Sequence, residues 1–169
     1  MRAPIFVDTN VFVYARDASE RAKQPRAAAW IEHLWRSRTG RTSVQVLSEY
    51  YVTVTRKLVP GLAESDAWDD VKALLSWRPC VVDATLLAHG RELTLRHRLA
   101  WWDGLVVAAA EAQGCALLLS EDFQDGATYA NVTVRSPFTL EVNEADARYA
   151  PVSVQVSDHP SRGRPKRPR

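Results

Sequence analysis

Three carboxylates stand alone in segments that otherwise read as protein interior. Asp8 is the only charged residue between Arg2 and Arg16. Glu49 is the only one between Arg41 and Arg56, and Asp103 the only one between Arg98 and Glu111. Their surroundings, PIFVDTNVFVYA, SVQVLSEYYVTV and LAWWDGLVVAAA, are apolar. A charge taken out of water is costly unless something compensates it, and no Lys or Arg lies beside any of the three. A further acidic group, Glu121, Asp122 and Asp125, follows the apolar run CALLLS. If folding converges these acids, unit charges about 4 Å apart repel by about 4 kcal/mol at an effective dielectric near 20. A divalent cation is then the economical counter-charge. Oxygen donors without His or Cys at ligand spacing favour Mg²⁺ or Mn²⁺ over zinc.

Taken singly, each acid also fits a simpler role. Asp8 and Asp103 suit helix N-caps. Glu49 suits a solvated helix face, and the acids at 121–125 suit a turn. Other chemistries that use a strand-end aspartate fit less well. A haloacid-dehalogenase-type phosphatase needs a second Asp two residues on, where this chain has Asn10. A response-regulator receiver needs an acidic pair there and a later lysine. Here Asp8 is single, and the only lysines are Lys23, Lys57, Lys72 and Lys166. No Gly-rich phosphate loop is present. His33, His89, His97 and His159 show no pairing that would suit a histidine-based ribonuclease.

The elements that must position these acids alternate along the chain. PIFV (4–7) reads as a strand ending at Asp8, with a helix from Thr9 to Arg16. A helix over 26–38 puts Ala27, Trp30, Ile31, Leu34 and Trp35 on one face, with Pro25 near its start and Gly40 as its stop. A short strand is expected at 42–44, and a helix from Gln45 to Leu58. A further helix is expected over 65–77 with Ser65 as its N-cap, then a strand at 80–83 and a helix over 84–98. The next helix starts near Asp103 and stops at Gly114. CALLLS (115–120) and NVTVR (131–135) complete the strands, and 141–156 carries no strong period. Continuous apolar strands between helices indicate an α/β protein, its parallel sheet covered on both faces. In such sheets function gathers at the carboxyl ends of the strands, which places Asp8 and Asp122 at one edge.

The 169 residues suit one domain, and 46% hydrophobic with 25% charged residues suits a soluble globular protein. No stretch reaches about 18 consecutive apolar residues, and the N-terminus lacks the layout of a signal peptide. A cytoplasmic protein without a membrane span is expected, with Cys80 and Cys115 as reduced core residues. The net charge of +2 hides a split. Residues 157–169 (SDHPSRGRPKRPR) carry five basic residues and one acid, leaving 17 basic and 19 acidic residues in 1–156, a net of −2. The tail's composition predicts disorder from about residue 157. Its Arg162, Gly163, Arg164 and Pro165, followed by Lys166 and Arg167, resemble an AT-hook. That motif implies contact with DNA or RNA, whereas a nonspecific basic tail accounts for the same residues.

In order along residues 3–140, IFVDTNVFVYA, SVQVLSEYYVTVTRK, WWDGLVVAAAEAQGC, LLLSEDFQDG and VRSPF resemble the PIN-domain family, particularly VapC-type toxin ribonucleases. The resemblance implies a three-layer α/β/α sandwich with a central parallel sheet over residues 1–140, and a C-terminal extension over 141–169. It implies metal-dependent cleavage of single-stranded or looped RNA, giving 5′-phosphate and 3′-hydroxyl products. Asp8, Glu49, Asp103 and Asp122 match the catalytic, metal-binding acids, and Mg²⁺ or Mn²⁺ is the implied cofactor. Asn10 and Ser120 would line the site, with Asp125 a secondary candidate and Glu121 below it. A protein antitoxin docking near the Trp30, Ile31, Leu34 and Trp35 face is implied, as is a homodimer; ordinary core packing is the competing role for that face. An acidic site that holds a polyanion also needs basic rims. Arg36, Arg38 and Arg41, or Arg91, Arg96 and Arg98, are candidates for RNA contact. Trp101 and Trp102 suit either base stacking or core packing. An RNA-processing nuclease, or a catalytically silent scaffold that binds RNA or protein, are the alternatives to a toxin.

Overall fold

The computed structural model describes residues 2–149. The expectations for the tail at 157–169, and for His159, lie outside the described residues. Five strands form one sheet: β1 (Ile5–Val7), β2 (Gly40–Arg41), β3 (Leu117–Leu119), β4 (Thr128–Tyr129) and β5 (Val132–Arg135). Their order is β2-β1-β3-β5-β4. All pairings are parallel except the β4–β5 edge, which is antiparallel. Successive strand residues face opposite sides, yet every residue of β1 and β3 is buried. Both faces of the sheet are therefore covered by helices, giving the three-layer α/β/α arrangement. Seven α-helices supply the cover: α1 (Thr9–Arg16), α2 (Lys23–Ser37), α3 (Val44–Val52), α4 (Glu64–Leu74), α5 (Ala84–His97), α6 (Trp101–Ala112) and α7 (Val142–Arg148). None of them is long and apolar enough to cross a membrane.

Several expectations change in detail. The strand expected at 42–44 lies two residues earlier, at Gly40–Arg41. The one expected at 80–83 reduces to a single bridge between Ser43 and Cys80, and Val81 is exposed. A short apolar run is not enough to make a strand when no neighbour extends the ladder. The helix expected from Gln45 to Leu58 is α3 followed by a π-helical stretch, Thr53–Lys57. α4 starts at Glu64 with Ala63 as its N-cap, so Ser65 lies inside the first turn. It runs on through a 3-10 turn at Leu75–Trp77. Two elements lacked a legible pattern: the short edge strand β4, and α7, which buries Ala145. Cys80 and Cys115 are both free thiols, with Cys115 buried.

Register decides where the site forms. Val7 pairs with Leu119, so Asp8 and Ser120 leave the sheet side by side, and the Asp8 N–H donates to the Leu119 carbonyl at 3.0 Å. β2 lies on one side of β1 and β3 on the other, so the chain leaves β1 at the point where strand order reverses, the usual crevice of such sheets. The α5–α6 hairpin carries Asp103 to this edge and is packed at a distance that only glycine permits. A Cβ on Gly104 would lie 2.1 Å from the Thr94 hydroxyl oxygen and 2.8 Å from the Gly90 carbonyl oxygen. A Cβ on Gly90 would meet Leu105 at 2.6 Å.

This close approach makes Gly104→Ala a test of what positions Asp103. Alanine favours a helix by about 1 kcal/mol over glycine, but here it must displace a backbone carbonyl. The expected net loss of stability is roughly 1–3 kcal/mol, read from urea midpoints. An unchanged midpoint would show that the two helices separate without cost.

Candidate functional site

Asp8 ends β1 and caps α1. One of its oxygens accepts the Thr9 N–H at 2.8 Å, and the other accepts the Ser120 hydroxyl at 2.7 Å. The capping role is therefore real, but it uses only part of the carboxylate. Asn10, on the first turn of α1, spans the crevice. Its amide nitrogen donates to the Ser120 hydroxyl at 3.0 Å and to Asp122 at 3.1 Å, with a longer 3.4 Å approach to Asp8. Its amide oxygen accepts the Glu121 N–H at 3.2 Å. The Asp122 N–H donates to the Ser120 oxygen at 3.1 Å. Ser120 and Asn10 thus tie the loop after β3 to the start of α1.

Glu49 projects from α3 beside Val46, Leu47 and Tyr50, which are buried. Both of its oxygens are held by neutral donors. Thr9 donates its hydroxyl at 3.1 Å, and Gln45 its amide at 2.9 Å. Thr9 and Gln45 are the site residues that the sequence reading missed. The i, i+4 pairing of Gln45 with Glu49 on one helix was the available signal. Asp103 lies in the first turn of α6, whose N-cap is Ala100. It is no cap, and it accepts no hydrogen bond among the described residues.

The electrostatics carry the mark of uncompensated charge. Burial pushes the Asp8 carboxyl up to about 7. Hydrogen bonds from Ser120 and Thr9 oppose that rise, and the Asp122 and Glu49 charges add to it. Asp103 is raised as well, by burial first and then by Asp122 and Glu49. Asp8 and Asp103 therefore each sit within reach of the Asp122 and Glu49 charges. The other two acids of the loop are occupied elsewhere. Asp125 accepts from the Arg135 side chain, the Ser136 N–H and the Thr139 hydroxyl. Burial works to raise its carboxyl, but these bonds outweigh it and hold the group low. Asp125 thus fastens the loop to β5. Glu121 pairs with Lys23, which also lies over the Tyr14 and Phe138 rings. Lys23 is thereby taken up by this pair.

The donor set suits a hard divalent cation, being four carboxylates with hydroxyl and amide neighbours and no cation among them. Among the described residues, no three Asp, Glu, His or Cys side chains already close on one point as a ligand group.

The basic candidates divide. Arg36 pairs with Glu32, and Arg38 ends α2 in the left-handed region at φ 59°. The chain then enters β2 at Gly40, level with Ile5 at the amino end of β1. Arg41 turns back onto the Gly40 carbonyl at 2.8 Å. Arg36 and Arg38 thus precede the amino end of β2, whereas Arg41 lies level with Phe6 in the middle of β1. Arg96 and Arg98 are exposed at the end of α5, next to the helix that carries Asp103; Arg91 is exposed further back on α5. The two indoles Trp101 and Trp102 are also exposed, which overturns the core-packing role. With Glu49, Gln45, Val52 and Lys57 they line a groove of about 760 Å³. On α2, Ala27, Trp30 and Leu34 are core, whereas Ile31 and Trp35 face a cavity of about 440 Å³ shared with Phe12, Arg16 and Tyr50.

Comparison with known proteins follows the same line. The PIN domain family model matches residues 5–124. The structure of FitAB bound to an IR36 DNA fragment is similar with a TM-score of 0.61 and 22% identity, over 81% of this chain and 97% of that one. Mycobacterium tuberculosis VapC20, a Sarcin-Ricin loop cleaving toxin, is similar with a TM-score of 0.53 and 24% identity, over 76% of this chain and 98% of that one. At these identities the structural likeness speaks to the fold. No curated protein sequence matches significantly.

Metal-free stability reports the buried carboxylate. A group whose pKa is raised on folding, as Asp8 is from 3.8 to about 7, stabilises the fold at low pH and loses that contribution as pH rises through 7. In EDTA, the unfolding free energy from urea titrations should fall between pH 4 and pH 8 by a few kcal/mol more in the wild type than in Asp8→Asn. Parallel profiles for the two proteins would show that Asp8 is not the uncompensated group.

Proposed function

The chain belongs to the PIN domain family, and on that premise we propose that it is a metal-dependent endoribonuclease, the toxin of a toxin–antitoxin pair. The observation that most supports this reading is the convergence of Asp8, Glu49, Asp103 and Asp122 on one crevice, with Lys23 taken up by Glu121. Four acids without a cation make a poor anion site by themselves and a good one once a divalent ion is bound. VapC20 is a Sarcin-Ricin loop cleaving toxin, and that likeness supports a toxin nuclease reading here.

In this reading Asp8, Asp103 and Asp122 hold Mg²⁺ or Mn²⁺, with Glu49 completing the charge. The chemistry such an ion supplies is a more acidic water and neutralisation of charge developing on the phosphodiester. Ser120 and Asn10 fix the Asp8 and Asp122 carboxylates so that little reorganisation is needed when RNA arrives. Glu49, held by Thr9 and Gln45, is placed to accept a proton from the attacking water. Arg96 and Arg98 provide the basic rim for the RNA backbone. The Ile31 and Trp35 cavity supports an antitoxin segment as partner. Exposed Val44, Val52, Trp68 and Leu75 around α3 and α4 support a homodimer. A cytoplasmic location accords with that role.

Purified protein should cleave RNA with Mg²⁺ or Mn²⁺ and stop in EDTA. Asp8→Asn should reduce cleavage by at least about a hundred-fold while the circular dichroism stays that of the wild type. Cleavage by Asp8→Asn at the wild-type rate would remove the metal-site assignment. Induced expression should arrest bacterial growth, and co-expression of a small protein encoded next to this gene should relieve the arrest. Normal growth during expression of active enzyme would favour an RNA-processing role instead.

A further inference from the structure

Trp101 and Trp102 open α6 immediately before Asp103, and they are 40% and 61% exposed. Indoles are large apolar bodies with flat faces, so two adjacent exposed ones present an unmet surface. They line the same groove as Glu49, Gln45 and Lys57. Lys57 is exposed at the end of the π-helical stretch and makes no ion pair among the described residues, whereas its neighbour Arg56 pairs with Glu64. The groove therefore combines aromatic faces and an aliphatic wall (Val44, Val52, Val82, Leu87) with an unpaired cation and one carboxylate of the crevice.

That combination is complementary to single-stranded nucleic acid. Every base has a face that stacks on an aromatic ring, and the phosphate between bases finds the cation. An apolar protein segment would match the indoles but would bury Lys57 and Glu49 against groups that cannot answer their charge. The groove shares Glu49 with the acidic crevice, and Trp102 precedes Asp103 in the chain, so a strand laid along it would lie beside the acids.

We infer that this groove is a base-stacking subsite, in which Trp101 and Trp102 receive unpaired RNA bases flanking the scissile phosphate and Lys57 binds the backbone beside them. The inference rests on the ribonuclease reading above, and it explains how an acidic centre selects unpaired RNA. A duplex keeps its base faces stacked on one another and cannot offer them to the tryptophans.

The test is equilibrium binding in EDTA, where no cleavage occurs, of a short oligoadenylate and of an abasic strand with the same number of phosphates. Binding is followed by quenching of tryptophan fluorescence in the wild type and by anisotropy of the labelled strand in all proteins. Trp102→Ala should weaken oligoadenylate binding about ten-fold or more and leave the abasic strand unaffected, and Trp102→Phe should restore most of the loss. Trp101→Ala should act in the same sense. Lys57→Ala should weaken both strands and lower the salt slope by about 1. Equal binding of oligoadenylate by wild type and Trp102→Ala, with RNA cleavage intact in both, would overturn the subsite and leave the ribonuclease reading standing. A Trp102→Ala protein that binds RNA normally but sediments at a lower mass would assign the groove to a second copy instead. A wild type that neither binds nor cleaves RNA would overturn both readings.

Discussion

The Asp8 side chain leaves a strand buried on both faces, at a point where water cannot solvate it. Its oxygens are served by the Thr9 N–H and the Ser120 hydroxyl, which are neutral. Neutral donors orient a charge without cancelling it. The negative charge remains in a low-dielectric setting with Glu49 and Asp122 nearby, and the raised carboxyl is the result. The rest of the crevice can be understood as a set of devices for tolerating that arrangement until a cation relieves it.

Each neighbouring element contributes in its own way. α1 and α6 turn their amino ends towards the acids, and a helix amino end favours negative charge. Glu49, from the middle of α3, has no such support, and Thr9 and Gln45 hold it instead. Lys23 is engaged by Glu121 and by the Tyr14 and Phe138 rings. Asp125 is spent on anchoring the loop after β3. The site is therefore selective about which charges it keeps. Four acids stay uncompensated while adjacent charges of both signs are paired off.

Isolation of Asp8, Glu49 and Asp103 within apolar segments was visible in the sequence, because burial of a lone charge is a local pattern. So were the buried strands β1 and β3, whose apolar runs need no partner to be recognised. What stayed hidden depended on distant partners. CVVD at 80–83 has strand composition, yet it makes one bridge only. α7 has a weak period and is held by Ala145 against the core. Arg36 and Arg38 resemble a basic rim by composition, but the parallel pairing of Gly40 with Ile5 puts their segment towards the amino end of the strands, away from Asp8. Exposure of Trp101 and Trp102 was equally undecidable, since an indole at the start of a helix suits either environment. Register and direction are tertiary facts, and they sort candidates that composition leaves equal.

The bond between Ser120 and Asp8 joins residues separated by 112 positions, and it lies at the centre of the crevice. Contacts of such long range close only after the intervening chain has collapsed around them. A chain still emerging from the ribosome has β1 and its aspartate early, but it lacks the strand that must lie beside β1 until residue 119 has cleared the tunnel. A product that has not yet extruded β3 is thus without an assembled crevice. The topology of the sheet delays whatever chemistry these acids perform until β3 has formed beside β1.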